Sequence, residues 1–204
     1  MALSSDRHKM LILIDLLKTE NDYVQSLETL IELVIEPMRK QRIVPEDDLG
    51  SLFGNIEALI PVHKSFMEKL TARVDFSSET LAAETILGDI FSDFVDSLQT
   101  DCDYSLLHWK KACFQTEELP KRLSQCKAFL DKAFQNTRYH GLNISFFTNL
   151  PVGRLCKYPL LFRELLKYIP PTHPDHQVLT AAISKLQVTV EMLNEQVRLR
   201  CEKQ

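Results

Sequence analysis

Apolar residues recur at three- and four-residue intervals along almost the whole chain, the period of a helix with one buried face. Ser4-Ser5-Asp6 caps a first helix predicted to run to about Ile35, with Leu13, Leu16, Leu17, Val24, Leu27, Ile31 and Val34 on its apolar stripe. Pro37 is expected to end or bend it. Pro45 followed by Glu46, Asp47 and Asp48 opens a second helix, with proline and acids where the helix dipole favours them. Its stripe runs through Leu49, Leu52, Phe53, Ile56, Leu59 and Ile60, and Pro61 is expected to kink or interrupt it before Phe66 and Leu70.

The pattern lapses between Val74 and Glu79, then resumes from Ile86 to Leu98. Asp101-Cys102-Asp103 breaks it again. Leu106, Leu107, Trp109 and Cys113 make a fourth region, and Pro120 opens a segment carrying Leu123, Cys126, Phe129, Leu130 and Phe134. A connector with Asn136, Thr137 and Gly141 leads to a helix beginning near Ile144, which ends before Pro170-Pro171-Thr172-His173-Pro174. The last helix runs from about Asp175 to the end. Leu179, Ile183, Leu186, Val190, Leu193 and Val197 alternate steps of four and three there, as in coiled-coil packing. The prediction is one all-α domain, an elongated bundle of about six main helices.

Composition narrows this further. Five glycines in 204 residues leave little material for the tight turns of a sheet-rich fold. A net charge of -4 offers no basic footprint for nucleic acid. Cys102, Cys113, Cys126, Cys156 and Cys201 are odd in number and lack metal-ligand spacing, so they are expected as reduced thiols in a cytoplasmic protein. No apolar run reaches the ~18 residues of a membrane span, and Met10–Ile14 is followed by Asp15 and Lys18 rather than a cleavage site.

Covalent chemistry finds no support. There is no nucleophile elbow and no Gly-rich phosphate loop. His173 and His176 lack a third ligand and read as a cap after the proline break. Asp47-Asp48 and Glu117-Glu118 sit at predicted helix starts, where charge–dipole attraction accounts for them.

The densest information lies in Pro151–Lys167. Leu155, Tyr158, Leu161, Phe162, Leu165 and Leu166 share a helix face. Pro151 suits a helix start, but Pro159 cannot donate a backbone hydrogen bond and costs about 3 kcal/mol inside a helix, so a kink is expected there. The segment resembles the third signature of the Dbl homology family, the exchange-factor module for Rho-family GTPases. Thr19-Glu20, Tyr23-Val24 and Leu27 match that family's first signature, and Leu87-Gly88-Asp89-Ile90-Phe91 is similar to the second. Leu52–Glu57, His173-Pro174-Asp175 and Asn194-Glu195 add to a likeness over about residues 6–200.

The resemblance implies an elongated helical bundle that binds a Rho-family GTPase, remodels its switch regions and promotes exchange of GDP for GTP, with no cofactor. It implies that Glu20 accepts hydrogen bonds from switch I, while Lys157 and Asn194 engage switch II. Two departures bear on partner choice. Gly153 stands where the family has glutamine, and Asn149 where an apolar residue helps select the GTPase; Val152 completes that neighbourhood. The family pattern also implies a following pleckstrin homology domain and recruitment to the membrane periphery. The alternatives are a non-exchanging helical scaffold, a dimerisation module seamed along the last helix, or a degenerate GTPase-binding domain.

Overall fold

The computed structural model describes residues 4–54, 56–98, 124–135 and 144–201, and among these every regular element is helical. The expected Asp101–Asp103 break, the helix through Leu106 and Trp109, the Pro120 start and the connector at 136–143 lie outside the described residues. The helices are α1 (Ser5–Leu30), a π-helical turn (Ile31–Ile35), α2 (Glu36–Lys40), α3 (Glu46–Phe53), α4 (Ile56–Arg73), α5 (88–98), α6 (Ser124–Ala133), α7 (Ile144–Leu166) and α8 (Pro174–Cys201). They fall into two compact units: Met1–Asp22, Pro61–Thr100 and Val152–Gln204 form one, Tyr23–Ile60 and Asp101–Pro151 the other.

In the first unit, the apolar stripes become the core. Met10, Leu13 and Leu16 of α1 are buried, as are Phe66 and Leu70 of α4, Phe91 and Phe94 of α5, and Tyr158, Phe162 and Leu165 of α7. Aromatic rings tie these helices together: Phe66 stacks on Phe94 with centroids 3.8 Å apart, and Phe91 meets Phe162 edge-on at 4.7 Å. On α8, Leu179, Ile183, Leu186 and Leu193 of the coiled-coil-like stripe are buried and Val190 is half-buried, while the Val197 side chain lies outside the described residues. The proline-rich break before α8 has a defined job. His173 Nδ1 accepts from the Asp175 amide at 3.1 Å, and the Asp175 carboxylate accepts from the amides of Leu87 (2.7 Å) and Gly88 (2.8 Å), capping α5. A Cβ on Gly88 would stand 2.8 Å from Asp175 Oδ1 and 3.1 Å from Val178 Cβ, which is why glycine stands there. α5 accordingly begins at 88, two residues after Ile86.

In the second unit, Leu27, Leu30, Val34 and Met38 are buried along one continuous helical path, and Pro37 does not end it. Glu36 N–H reaches back five residues to the Ile31 carbonyl, so the wide turn shifts the ladder just where Pro37 cannot donate. The helix stops instead at Arg42, whose φ of 51° is left-handed. Arg42 N–H bonds the Arg39 carbonyl at 3.3 Å and Ile43 N–H the Met38 carbonyl at 3.1 Å, a Schellman closure. Pro61 likewise sits inside α4 without interrupting it. The interruption falls at Gly54, where φ 57° and ψ −131° suit only glycine. Phe134 stacks on Phe147 at 4.7 Å to close this core.

Candidate functional site

Three of the residues singled out above, Glu20, Lys157 and Asn194, belong to the first unit, on α1, α7 and α8. The structure treats them differently. Lys157 is exposed on α7 and forms no ion pair among the described residues. Asn194 is exposed on α8, one residue after buried Leu193. Large apolar side chains are exposed on the same three helices: Leu11 and Ile14 on α1, Leu160 on α7, Val188 and Met192 on α8.

Glu20 is not on the surface. Its side chain is fully buried, and its carboxylate is already the acceptor of a dense set of donors. Arg154 Nε donates to Oε2 at 2.9 Å, and Arg154 Nη2 donates to the same oxygen. Tyr158 Oη lies 2.9 Å from both oxygens, and His63 Nδ1 donates to Oε1. A carboxylate can only accept, so His63 carries its proton on Nδ1. Arg154 also donates from Nη1 to Thr19 Oγ1 at 2.9 Å and from Nη2 to the Leu16 carbonyl at 3.4 Å. Burial alone would push the Glu20 carboxyl up; the hydrogen bond from His63, with the hydrogen bonds and charge of Arg154, outweighs it and holds it below the usual carboxylate range. To serve as a direct acceptor for a partner's loop, Glu20 would have to release Arg154, Tyr158 and His63.

The sequence carried a signal for this cluster. Glu20 falls on the apolar stripe of α1, four after Leu16 and seven before Leu27. His63 sits on that of α4, between Leu59 and Phe66, and Arg154 and Tyr158 stand one turn apart on the buried side of α7. Polar residues in stripe positions must find one another when buried.

The remaining positions lie along α7. Asn149 and Gly153 are exposed and Val152 is half-buried. Asn149, Gly153 and Lys157 recur every four residues, hence on one side of the helix. A Cβ added at Gly153 would meet nothing within 4 Å. Gly153→Ala is therefore expected to stabilise the protein by about 0.5–1 kcal/mol through the helix propensity alone, read as a higher urea midpoint with unchanged slope.

The sequence profile of the RhoGEF domain matches residues 12–194. The RhoGEF domain-containing protein gxcJ of Dictyostelium discoideum is 32% identical over 189 residues, 93% of this chain and 15% of that protein. Rho guanine nucleotide exchange factor 4 of Homo sapiens is 29% identical over 196 residues, 96% of this chain and 28% of that protein. The chain thus spans a minor part of these relatives. Among solved structures, the DH/PH domains of PDZ-RhoGEF in complex with GTP-gamma-S activated RhoA superpose with a TM-score of 0.84 at 20% identity, over 97% of this chain and 56% of that one. The likeness at that identity is one of fold.

Proposed function

Because the chain belongs to the RhoGEF domain family, we propose that it is a guanine nucleotide exchange module: it binds a Rho-family GTPase, remodels the switch regions and so promotes GDP release and GTP loading. The observation that carries this is the exposure of Lys157 and Asn194, two polar groups on helices of one unit, alongside exposed apolar side chains on α1, α7 and α8. Apolar surface flanking a few polar groups is what a protein partner requires.

The activity needs no bond-making. A module that binds the nucleotide-free GTPase more tightly than the nucleotide-bound form weakens nucleotide binding by the same factor, since coupling is reciprocal. A preference of about 5.5 kcal/mol carries such an equilibrium from 1:99 to 99:1. Lys157 supplies a charged donor for switch II and Asn194 an amide. Asn149, Val152 and Gly153 are assigned to partner selection, with Gly153 offering no side-chain contact. No helix among the described residues is long and apolar enough to cross a membrane, so a cytoplasmic module brought to the membrane by a neighbouring domain is the setting proposed for it.

The rival reading, a dimer seamed along α8, is less favoured because Leu179, Ile183, Leu186 and Leu193, four positions of the stripe it needs, are already buried in the single chain. The test is release of a fluorescent GDP analogue from a panel of Rho-family GTPases. Acceleration of one or a few members is expected. A folded protein that accelerates none of them would overturn the proposal.

A further inference from the structure

Resting on the exchange-factor reading above, we infer that Arg154, seated on Glu20, is a positioning residue that fixes the turn of α7 carrying Lys157. The buried cluster exceeds what packing alone requires. It sets two opposite charges in a fully covered site, with a phenol and an imidazole completing the acceptor shell of Glu20. Buried ion pairs seldom add net stability over well-packed apolar residues, and their best-attested use is to fix one register among several.

The register at stake here is that of α7. Lys157 stands three residues after Arg154 and one before Tyr158, so two directional anchors bracket it. Arg154 reaches α1 at three positions, Leu16, Thr19 and Glu20, spanning more than one turn of that helix. Thr19 Oγ1 is held in its turn, donating to the Asp15 carbonyl at 2.8 Å. The guanidinium lies 4.9 Å from the centre of the Tyr158 ring, and that ring packs edge-on against Phe94 at 5.1 Å.

The helix needs such anchors at this point. Pro159 cannot donate to the Leu155 carbonyl, and Gly153 is the residue type that loses most freedom on ordering. The backbone ladder is therefore weakened across the turn that presents Lys157. An apolar face resists sliding poorly, because hydrophobic contact is non-directional. The five N–H donors of a planar guanidinium resist both sliding and rotation. Lys157 is consequently delivered to its partner at a fixed height and angle.

The experiment removes the clamp without leaving a buried charge. In Glu20→Leu/Arg154→Met both partners become apolar at similar volume; in Arg154→Lys the charge stays and the planar fork goes. GDP release is measured against the GTPase that responds to wild type, together with a cycle combining each variant with Lys157→Ala. Amide hydrogen exchange across residues 153–161 is followed on the same samples. The expected result is a folded protein whose maximal exchange rate falls at least tenfold with little change in half-saturating concentration, and faster amide exchange across that turn. On the Lys157→Ala background, removing the clamp costs less than twofold further, because it acts through Lys157. Arg154→Lys does not rescue the rate.

Full additivity in the cycle, or wild-type exchange by the double variant, overturns the clamp while leaving the exchange function standing. Rescue by Arg154→Lys overturns it too, by showing that charge alone suffices. A wild type inert on every GTPase overturns the functional reading instead, and unchanged amide exchange in the double variant then overturns the clamp by itself.

Discussion

Lys157→Ala is expected to lower GDP-release acceleration by roughly 30-fold or more. Truncating one member of a desolvated charged pair at an interface costs about 2–5 kcal/mol, and about 1.4 kcal/mol corresponds to tenfold. Asn194→Ala removes a neutral hydrogen bond of about 0.5–1.5 kcal/mol and should cost roughly two- to tenfold. Both residues are exposed, and surface changes of this kind usually move stability by no more than about 0.5 kcal/mol. Helicity and thermal midpoint should therefore match wild type, which separates lost contact from lost fold. Raising salt should narrow the gap between wild type and Lys157→Ala more than that between wild type and Asn194→Ala, since only the first difference is a charge. Exchange by Lys157→Ala at the wild-type rate, on a GTPase that wild type clearly accelerates, would remove Lys157 from the site.

Gly153 sharpens what such a series can teach. Its open surroundings mean that a Cβ can be added there without displacing a neighbour. Lys157 lies one turn further along the same side of α7, so changes at Gly153 that alter partner choice without altering stability would place the selective contact on that side. The family signature pointed to the position, and the structure adds that it is free to vary.

How much could be read in advance follows a physical divide. The stripes of α1, α7 and α8 were visible because helical periodicity is local, and most of their described positions are buried. The proline readings were less successful for an equally definite reason. Pro37 was expected to end or bend its helix and Pro61 to kink or interrupt its own; Pro37 does not end the helical path but follows a π-helical turn whose bond pattern has already shifted, and Pro61 lies within α4 without interrupting it. Neither accommodation has a sequence signature of its own. The actual break, at Gly54, depends on a backbone angle that glycine permits but does not announce. Glu20 is the instructive case. A carboxylate in a Thr-Glu-Asn-Asp stretch looks solvated, and its burial is decided by Arg154, 134 residues away. Its place on the stripe between Leu16 and Leu27 was the one local hint.

That buried pair yields the second large effect. Arg154→Met keeps most of the side-chain volume but leaves Glu20 without its guanidinium, and breaking a buried pair by removing one partner costs about 3–5 kcal/mol. For a chain of this length each kcal/mol shifts the thermal midpoint by roughly 2–4 °C, so a drop of about 6–20 °C is expected at neutral pH. The companion change Glu20→Leu should recover most of it, since no unpaired charge then remains. Acid supplies an independent check. In wild type the Glu20 carboxyl is held below its ordinary range, so its contribution is fully present above the unfolded value of about 4.3. That contribution is lost as pH falls through the lower folded value. In Arg154→Met, burial without the guanidinium favours the neutral acid, and falling pH relieves the buried charge earlier. The stability gap between the two proteins, followed by urea unfolding, should therefore be widest near pH 7 and shrink below about pH 4. A gap that stays constant across that range would mean that Arg154 acts through its aliphatic packing, with the charge of Glu20 immaterial.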